Sequence, residues 1–224
     1  MKTLRADASV GFVNAKVGHC QALNYEAPDG KPPGAFLMVV PLQLRQSMPN
    51  IPYVPIDISE PSEVVNAIRL RRGGSLLNLD RMLLHSPPFA EGWNWLLGAV
   101  RSQLSLSPRL RELVICAVGS LNGAAYEVIQ HAKPFLEAGG TAAQLTAMDD
   151  VLRAAEDAVL FDACERSVLH LAIAMTREVQ IDREVFAAAR QALGNDRQLI
   201  ELIGVVATYN MVSRFLVALG VEPE

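Results

Sequence analysis

Cysteine is scarce in this chain: Cys20, Cys116 and Cys164 are the three in 224 residues, and no two share a CxxC or other metal-ligand spacing. That pattern excludes a disulfide framework and a cysteine zinc site, and it fits a reducing compartment. Positive charge is not in excess either, with 20 Lys and Arg against 24 Asp and Glu and a net charge of -4. Such a balance leaves no electrostatic footprint for nucleic acid or an anionic membrane surface. No stretch reaches the roughly 18 consecutive apolar residues of a membrane-spanning helix. The apolar segment from Ala35 to Leu44 is short and broken by Pro41. Residues 1–47 also lack the ordered regions of a secretory signal, so the expectation is a cytoplasmic protein. Arg69, Arg71 and Arg72 form a small basic run that reads as a solvated helix end.

Half of the residues are apolar, enough for one sizeable core. Residues 1–47 mix Gly, Pro and isolated apolar residues without a period and read as an irregular N-terminal extension, with Met48 as an alternative start. Residues 48–224 read as a single all-α domain. Helical spacing predicts segments at Pro61–Arg71, Leu76–Leu84, from Pro87 or Pro88 to about Leu104, Ser107–Leu121 and, after Asn122-Gly123, from Ala124 to Gly139-Gly140. Further helices are predicted at Thr141–Leu145, Asp149–Leu160, Asp162–Thr176, Arg183–Leu193 and Asp196–Leu219. Trp93 and Trp95 cannot face the same way. No fixed repeat appears, so the architecture is a compact helical bundle rather than a solenoid, and its surplus apolar faces call for subunit contacts.

The chemistry concentrates between Ser107 and Gly140. Leu110, Leu113, Val114, Ala117, Val118 and Leu121 form one apolar stripe, while Ile115, Cys116 and Gly119 leave the opposite side hardly polar. Glu112 is therefore a carboxylate facing burial. In the next helix Ala124, Glu127 and His131 fall at i, i+3 and i+7 on one face, which allows a carboxylate and an imidazole to share a proton. Pro134 is expected to kink or pause that helix. His85, in a Ser-Pro-Pro turn, reads as solvated, and His170, without an acidic residue at i−4 or i+4, as a packed or surface residue.

The run RELVICAVGSLNGAAYEVIQHAKPFLEAGG resembles the core of the carboxymuconolactone decarboxylase and AhpD-like alkylhydroperoxidase superfamily. The ending VVATYNMVSRFLVALGVE resembles the last helix of its longer, peroxidase-related members, so the likeness covers Met48 to Glu222. It implies an AhpD-like helical bundle, assembled as a trimer or hexamer. In the peroxidase branch it implies thiols at the positions held here by Ala124 and Glu127, with a proton-relay Glu and His matching Glu112 and His131. Alanine can neither attack an O–O bond nor resolve a sulfenic acid.

What survives is proton machinery, with Glu112, Tyr126, Glu127 and His131 as catalytic candidates. Arg111, or Arg214 with Asn210 four residues before it, is a candidate holder of a substrate carboxylate. The reading is a cofactor-independent, metal-free proton-transfer enzyme of decarboxylase, isomerase or hydrolase type, acting on a small apolar acid or aromatic compound. Two others stand beside it: a peroxidase-related antioxidant protein with altered cysteine use, and a non-catalytic oligomeric binding protein on the same fold.

Overall fold

The computed structural model describes residues 49–178 and 180–224. The predicted N-terminal extension, its Ala35–Leu44 patch and Cys20 lie outside the described residues.

Ten α-helices make up the regular structure among the described residues, and no strand occurs there. They are α1 (Ser62–Arg72), α2 (Asn78–Leu83), α3 (Pro87–Ser102), α4 (Pro108–Leu121), α5 (Ala125–Glu137), α6 (Ala142–Ala147), α7 (Val151–Ala154), α8 (Ala163–Arg177), α9 (Arg183–Leu193) and α10 (Asp196–Leu219). The all-α expectation is met.

The centre of the bundle is α4. Its start is built as the sequence requires, with the Ser107 hydroxyl accepting from the Leu110 amide at 3.2 Å and Pro108 in the first turn. Leu113, Val114, Ile115, Cys116, Ala117 and Val118 are all fully buried. Helices α5, α8 and α10 pack around it. Each large aliphatic side chain so enclosed contributes roughly 1.5–3 kcal/mol relative to exposure. A helix apolar on nearly every side has no other stable position in water.

The last helix, α10, has the length and apolar composition of a membrane span. It is used here as a core element, with Leu202, Val205, Val206, Tyr209, Val212 and Leu216 buried against the bundle. Its C-terminus is closed by Gly220 in the left-handed conformation, φ 63°, whose amide bonds back to the Val217 carbonyl.

One helix expectation needs correction. The predicted helix over Asp149–Leu160 breaks into a 3₁₀ turn at Met148–Asp150, the single turn of α7, and a non-helical link. The Asp157 carboxylate is the reason: it accepts from the amides of Val159 and Leu160 at 2.9 and 3.0 Å, a local turn that competes with helix. Pro134 lies inside α5, which continues to Glu137 and stops just before Gly139-Gly140. It sits in the last turn, where its missing amide leaves the Gln130 carbonyl without the usual i+4 donor. The two tryptophans do diverge: Trp93 is buried and Trp95 is 74% exposed.

The contact between α4 and α5 is close because Gly119 lacks a side chain. A Cβ there would sit 3.0 Å from Glu127 Cβ and 3.2 Å from Val128 Cγ2. Gly140 performs a similar service at the far end, since a Cβ on it would overlap the buried Phe135 ring.

Candidate functional site

The α4–α5 contact brings three of the four predicted catalytic side chains into one buried chain of polar atoms. Glu112, Glu127 and His131 are each 3% exposed. His131 Nδ1 lies 2.6 Å from Glu112 Oε2, and Arg111 Nε donates to the other Glu112 oxygen at 3.2 Å. On the far side of the imidazole, Nε2 is 3.4 Å from Glu127 Oε2. The ring is held edge to face against Tyr209, 5.1 Å between centroids.

Burial alone would raise the Glu112 pKa, but the His131 hydrogen bond and the charges of His131 and Arg111 prevail and hold it below the usual carboxylate range. Burial lowers His131, outweighing its bond to Glu112, with Arg101 and Arg72 adding to the effect. The consistent state near neutrality is an ionised Glu112 accepting the Nδ1–H of a neutral imidazole. That fixes the tautomer and leaves the Nε2 lone pair facing Glu127. Burial pushes the Glu127 carboxyl up to about 7, against the opposing charges of Arg101 and Arg72. A proton on Glu127 and a lone pair on His131 thus face each other at 3.4 Å. The two groups form one acid–base unit poised near neutral pH.

A cavity of about 30 Å³, room for a water molecule or two, borders this unit. Glu127, His131, Tyr126, Tyr209, Trp93 and Arg101 are among its walls. Two polar atoms of these wall residues are buried without a hydrogen-bond partner: Glu127 Oε2 and Trp93 Nε1. Glu127 Oε2 is the atom that faces His131 Nε2, so the Trp93 N–H is the orphaned donor among the cavity residues, and it marks a place for a polar guest. A wider cleft of about 490 Å³ shares Arg71, Arg72, Leu77, Leu97, Arg101 and Gln130 with the small cavity and continues it outward.

The other predicted site residues are distributed differently. Tyr126 lines the cavity, but its hydroxyl is occupied by the Glu224 carboxylate at 3.2 Å, and burial raises its pKa. Ala124 is the residue before α5, buried, with its amide bonded to the Gly119 carbonyl at 2.8 Å, and it is not among the cavity walls. The three predicted carboxylate holders do not reach the cavity either. Arg111 is committed to Glu112, and Arg214 donates to the Asn210 side chain at 2.6 Å. Asn210 in turn bonds Thr176 and Asn122, tying α10 to α8 and to the end of α4. Arg71 and Arg72, read from sequence as a solvated helix end, are instead cavity walls. Arg72 forms a fork with the buried Asp80 at 2.9 and 3.0 Å, and Arg71 bonds Asn94. The arginine pair followed eight residues later by an aspartate was the sequence signal for this. Arg101 and Trp93 gave none, because only the packing of α3 against α1, α2 and α10 brings them to the site.

Neither thiol among the described residues is activated for chemistry. Cys116 is fully buried, and desolvation together with the Glu112 and Glu127 charges pushes its pKa up to about 12. Cys164 is half-buried on α8, its pKa also raised by burial and by Asp162 and Glu165. Neither has the depressed pKa of a reactive cysteine. His85 is exposed and bonds the Pro52 carbonyl at 2.7 Å, and His170 lies 3.5 Å from Glu156 at the surface. Among the described residues no group of three or more His, Cys, Asp or Glu side chains is arranged to hold a metal ion.

Comparison with known proteins agrees with this architecture. No curated protein is significantly similar to the chain. A peroxidase-related protein from Silicibacter sp. TM1040 is similar in structure at 20% identity, covering 80% of this chain and 95% of its own, with a TM-score of 0.67. An alkylhydroperoxidase AhpD core protein, peroxidase-related, from Ralstonia eutropha JMP134 gives 18% identity, 79% and 92% coverage and a TM-score of 0.68. A cysteine-to-alanine variant of the debrominase Bmp8, in complex with 2,3,4-tribromopyrrole, gives 17% identity, 78% and 92% coverage and a TM-score of 0.63. At such identities these three establish the fold. The family model described as carboxymuconolactone decarboxylase matches residues 87–172, the span from α3 through most of α8 that carries Arg101, Glu112, Glu127 and His131. Residues 87–172 are thus similar to the carboxymuconolactone decarboxylase family, and the fold is that of the AhpD-like peroxidase-related structures.

Proposed function

We propose that the protein is a cofactor-independent proton-transfer enzyme of the decarboxylase type, acting on a small unsaturated acid or aromatic compound. The observation that carries this reading is the buried row Arg111, Glu112, His131, Glu127, whose last two members line a small cavity. In the proposed reaction the bond between carbon and carboxylate breaks and CO₂ leaves. The electron pair passes into the adjoining conjugated carbonyl as an enolate, which an oxygen-directed donor such as the Trp93 N–H would stabilise. The Glu127–His131 unit then gives one proton to carbon, and solvent returns one when product leaves. Glu112 is a positioning residue, holding the imidazole in the Nδ1–H tautomer.

A thiol-peroxidase reading has weaker support, because Ala124 and Glu127 stand where the resemblance implies cysteines and Cys116 is a buried, high-pKa thiol. The test is release of CO₂ from 4-carboxymuconolactone and related small unsaturated acids. We expect turnover in the wild type and in a variant with Cys116 and Cys164 replaced by alanine, and loss of at least a hundredfold in His131→Ala. Turnover unchanged in His131→Ala would overturn the reading, and hydroperoxide consumption abolished by the cysteine replacements would favour the peroxidase. The same reading includes a homo-oligomer, trimer or hexamer, supported by exposed Trp95, Leu96 and Ile200 on α3 and α10. Light scattering of the intact chain measures it.

A further inference from the structure

The cleft outside the Glu127–His131 cavity has a charge that the proton-transfer chemistry does not use. Three arginines line it: Arg71, Arg72 and Arg101. The first two are engaged, Arg72 by the fork to Asp80 and Arg71 by Asn94 and the same aspartate at 3.6 Å. Arg101, in the last turn of α3, makes no side-chain hydrogen bond or ion pair among the described residues, although it is only half-exposed. Its charge is felt inside: it opposes protonation of His131 and favours the ionised form of Glu127. A partly desolvated guanidinium without an acceptor, walled by Leu77 and Leu97, has the composition of a small-acid site, a cation at one side and hydrocarbon around it.

We propose that Arg101 is the specificity-determining residue of this site, seating on its guanidinium a negatively charged group that the substrate retains through the reaction. The inference rests on the proton-transfer reading and adds to it where the charge lies. A carboxylate held on arginine is stabilised as a carboxylate, which opposes its loss as CO₂, so the group on Arg101 is not the one that leaves. The substrate therefore carries an anionic group at Arg101, an apolar body between Leu77 and Leu97, and its reacting carbon towards Glu127 and His131. Gly98, one turn before Ser102 on α3, keeps the cleft open. A Cβ there meets only Arg71 Cδ, at an ordinary 3.8 Å, so a larger side chain is accommodated by the fold and enters the cleft.

The experiment is calorimetric binding of benzoate, and of its neutral isostere benzamide, to the intact chain at low salt. Benzoate is expected to bind at least tenfold more tightly than benzamide, and that preference is expected to vanish in Arg101→Gln and to survive in Arg101→Lys. Gly98→Leu is expected to abolish benzoate binding with the thermal midpoint of the protein little changed. Equal affinity for the two probes in the wild type, no saturable benzoate binding, or a preference retained in Arg101→Gln would each overturn the proposal. His131→Ala separates it from the proton-transfer reading. Benzoate binding intact in that variant with catalysis absent in the wild type as well leaves the anion site standing and removes the proposed reaction.

Discussion

Replacing Glu112 by glutamine and by alanine separates a catalytic pair from a structural one. In the folded protein Glu112 and His131 are both 3% exposed and meet at 2.6 Å. Alanine leaves the Nδ1–H without an acceptor and Arg111 without its carboxylate, and breaking a buried pair in this way costs about 3–5 kcal/mol. For a domain of this size that is roughly 6–20 °C in the thermal midpoint, at about 2–4 °C per kcal/mol. Glutamine keeps the shape, and its amide oxygen still accepts from Nδ1–H, while its NH2 faces Arg111, whose partly exposed guanidinium can turn to water. What it loses in charge–charge attraction is offset by no longer burying an anion, so its cost should stay within about 1.5 kcal/mol. Catalysis should respond in the opposite sense. A neutral amide cannot stabilise an imidazolium forming at His131, and about 10²–10⁴ in kcat should be lost with KM little changed. The assays are urea denaturation with light scattering, to hold the oligomer constant, and CO₂ release per folded molecule. The reasoning is refuted if glutamine destabilises as much as alanine, or if it leaves kcat intact; Glu112 would then be a structural partner of the helix pair.

Three other outcomes follow from the same geometry. Glu127 titrates upward to about 7 in the folded state, from an ordinary 4.5, facing Arg101, Arg72, Glu112 and His131 together with the phenols of Tyr126 and Tyr209. Its contribution to stability is therefore complete below pH 4.5 and is lost as pH rises through 7, so Glu127→Gln should be more stable than wild type at pH 8, by on the order of 3 kcal/mol, with the gap closing near pH 4.5. Paired denaturation curves at the two pH values check this, and a gap that widens on acidification contradicts it. Cys116, with its thiol pushed up to about 12, should resist a soluble disulfide reagent in the native state and react only at the rate of unfolding; rapid labelling of native protein would show otherwise. Gly119→Ala places a methyl 3.0 Å from Glu127 Cβ and should cost about 1 kcal/mol while lowering kcat roughly tenfold, because α5 must shift by a few tenths of an ångström. Unchanged kinetics would show that the α4–α5 spacing does not set the site.

Reading the sequence located the helices that matter because their signals are local. Ser107-Pro108 starts α4, Asn122-Gly123 separates it from α5, and the apolar positions of α4 surround the helix so completely that burial follows. Glu112, Glu127 and His131 were legible for the same reason: two lie four residues apart on one helix, and the third is a lone acid on a helix with no wet face. Where local signals compete, the reading failed. Asp157 turns the chain where periodicity asks for helix.

What only the tertiary structure decided is the surroundings of that acid–base unit. Arg111, Asn210 and Arg214 look available in the sequence, yet each is consumed by a neighbour once the helices dock. Arg101 and Trp93 look unremarkable on α3, yet the packing carries them to the cavity and leaves them without partners among the described residues. The physical reason is one of range. Helix formation and burial depend on residues within a few turns, which the chain writes in order. Which cation remains unpaired depends on every charge that folding brings within a few ångströms, and that is fixed only when the helices pack.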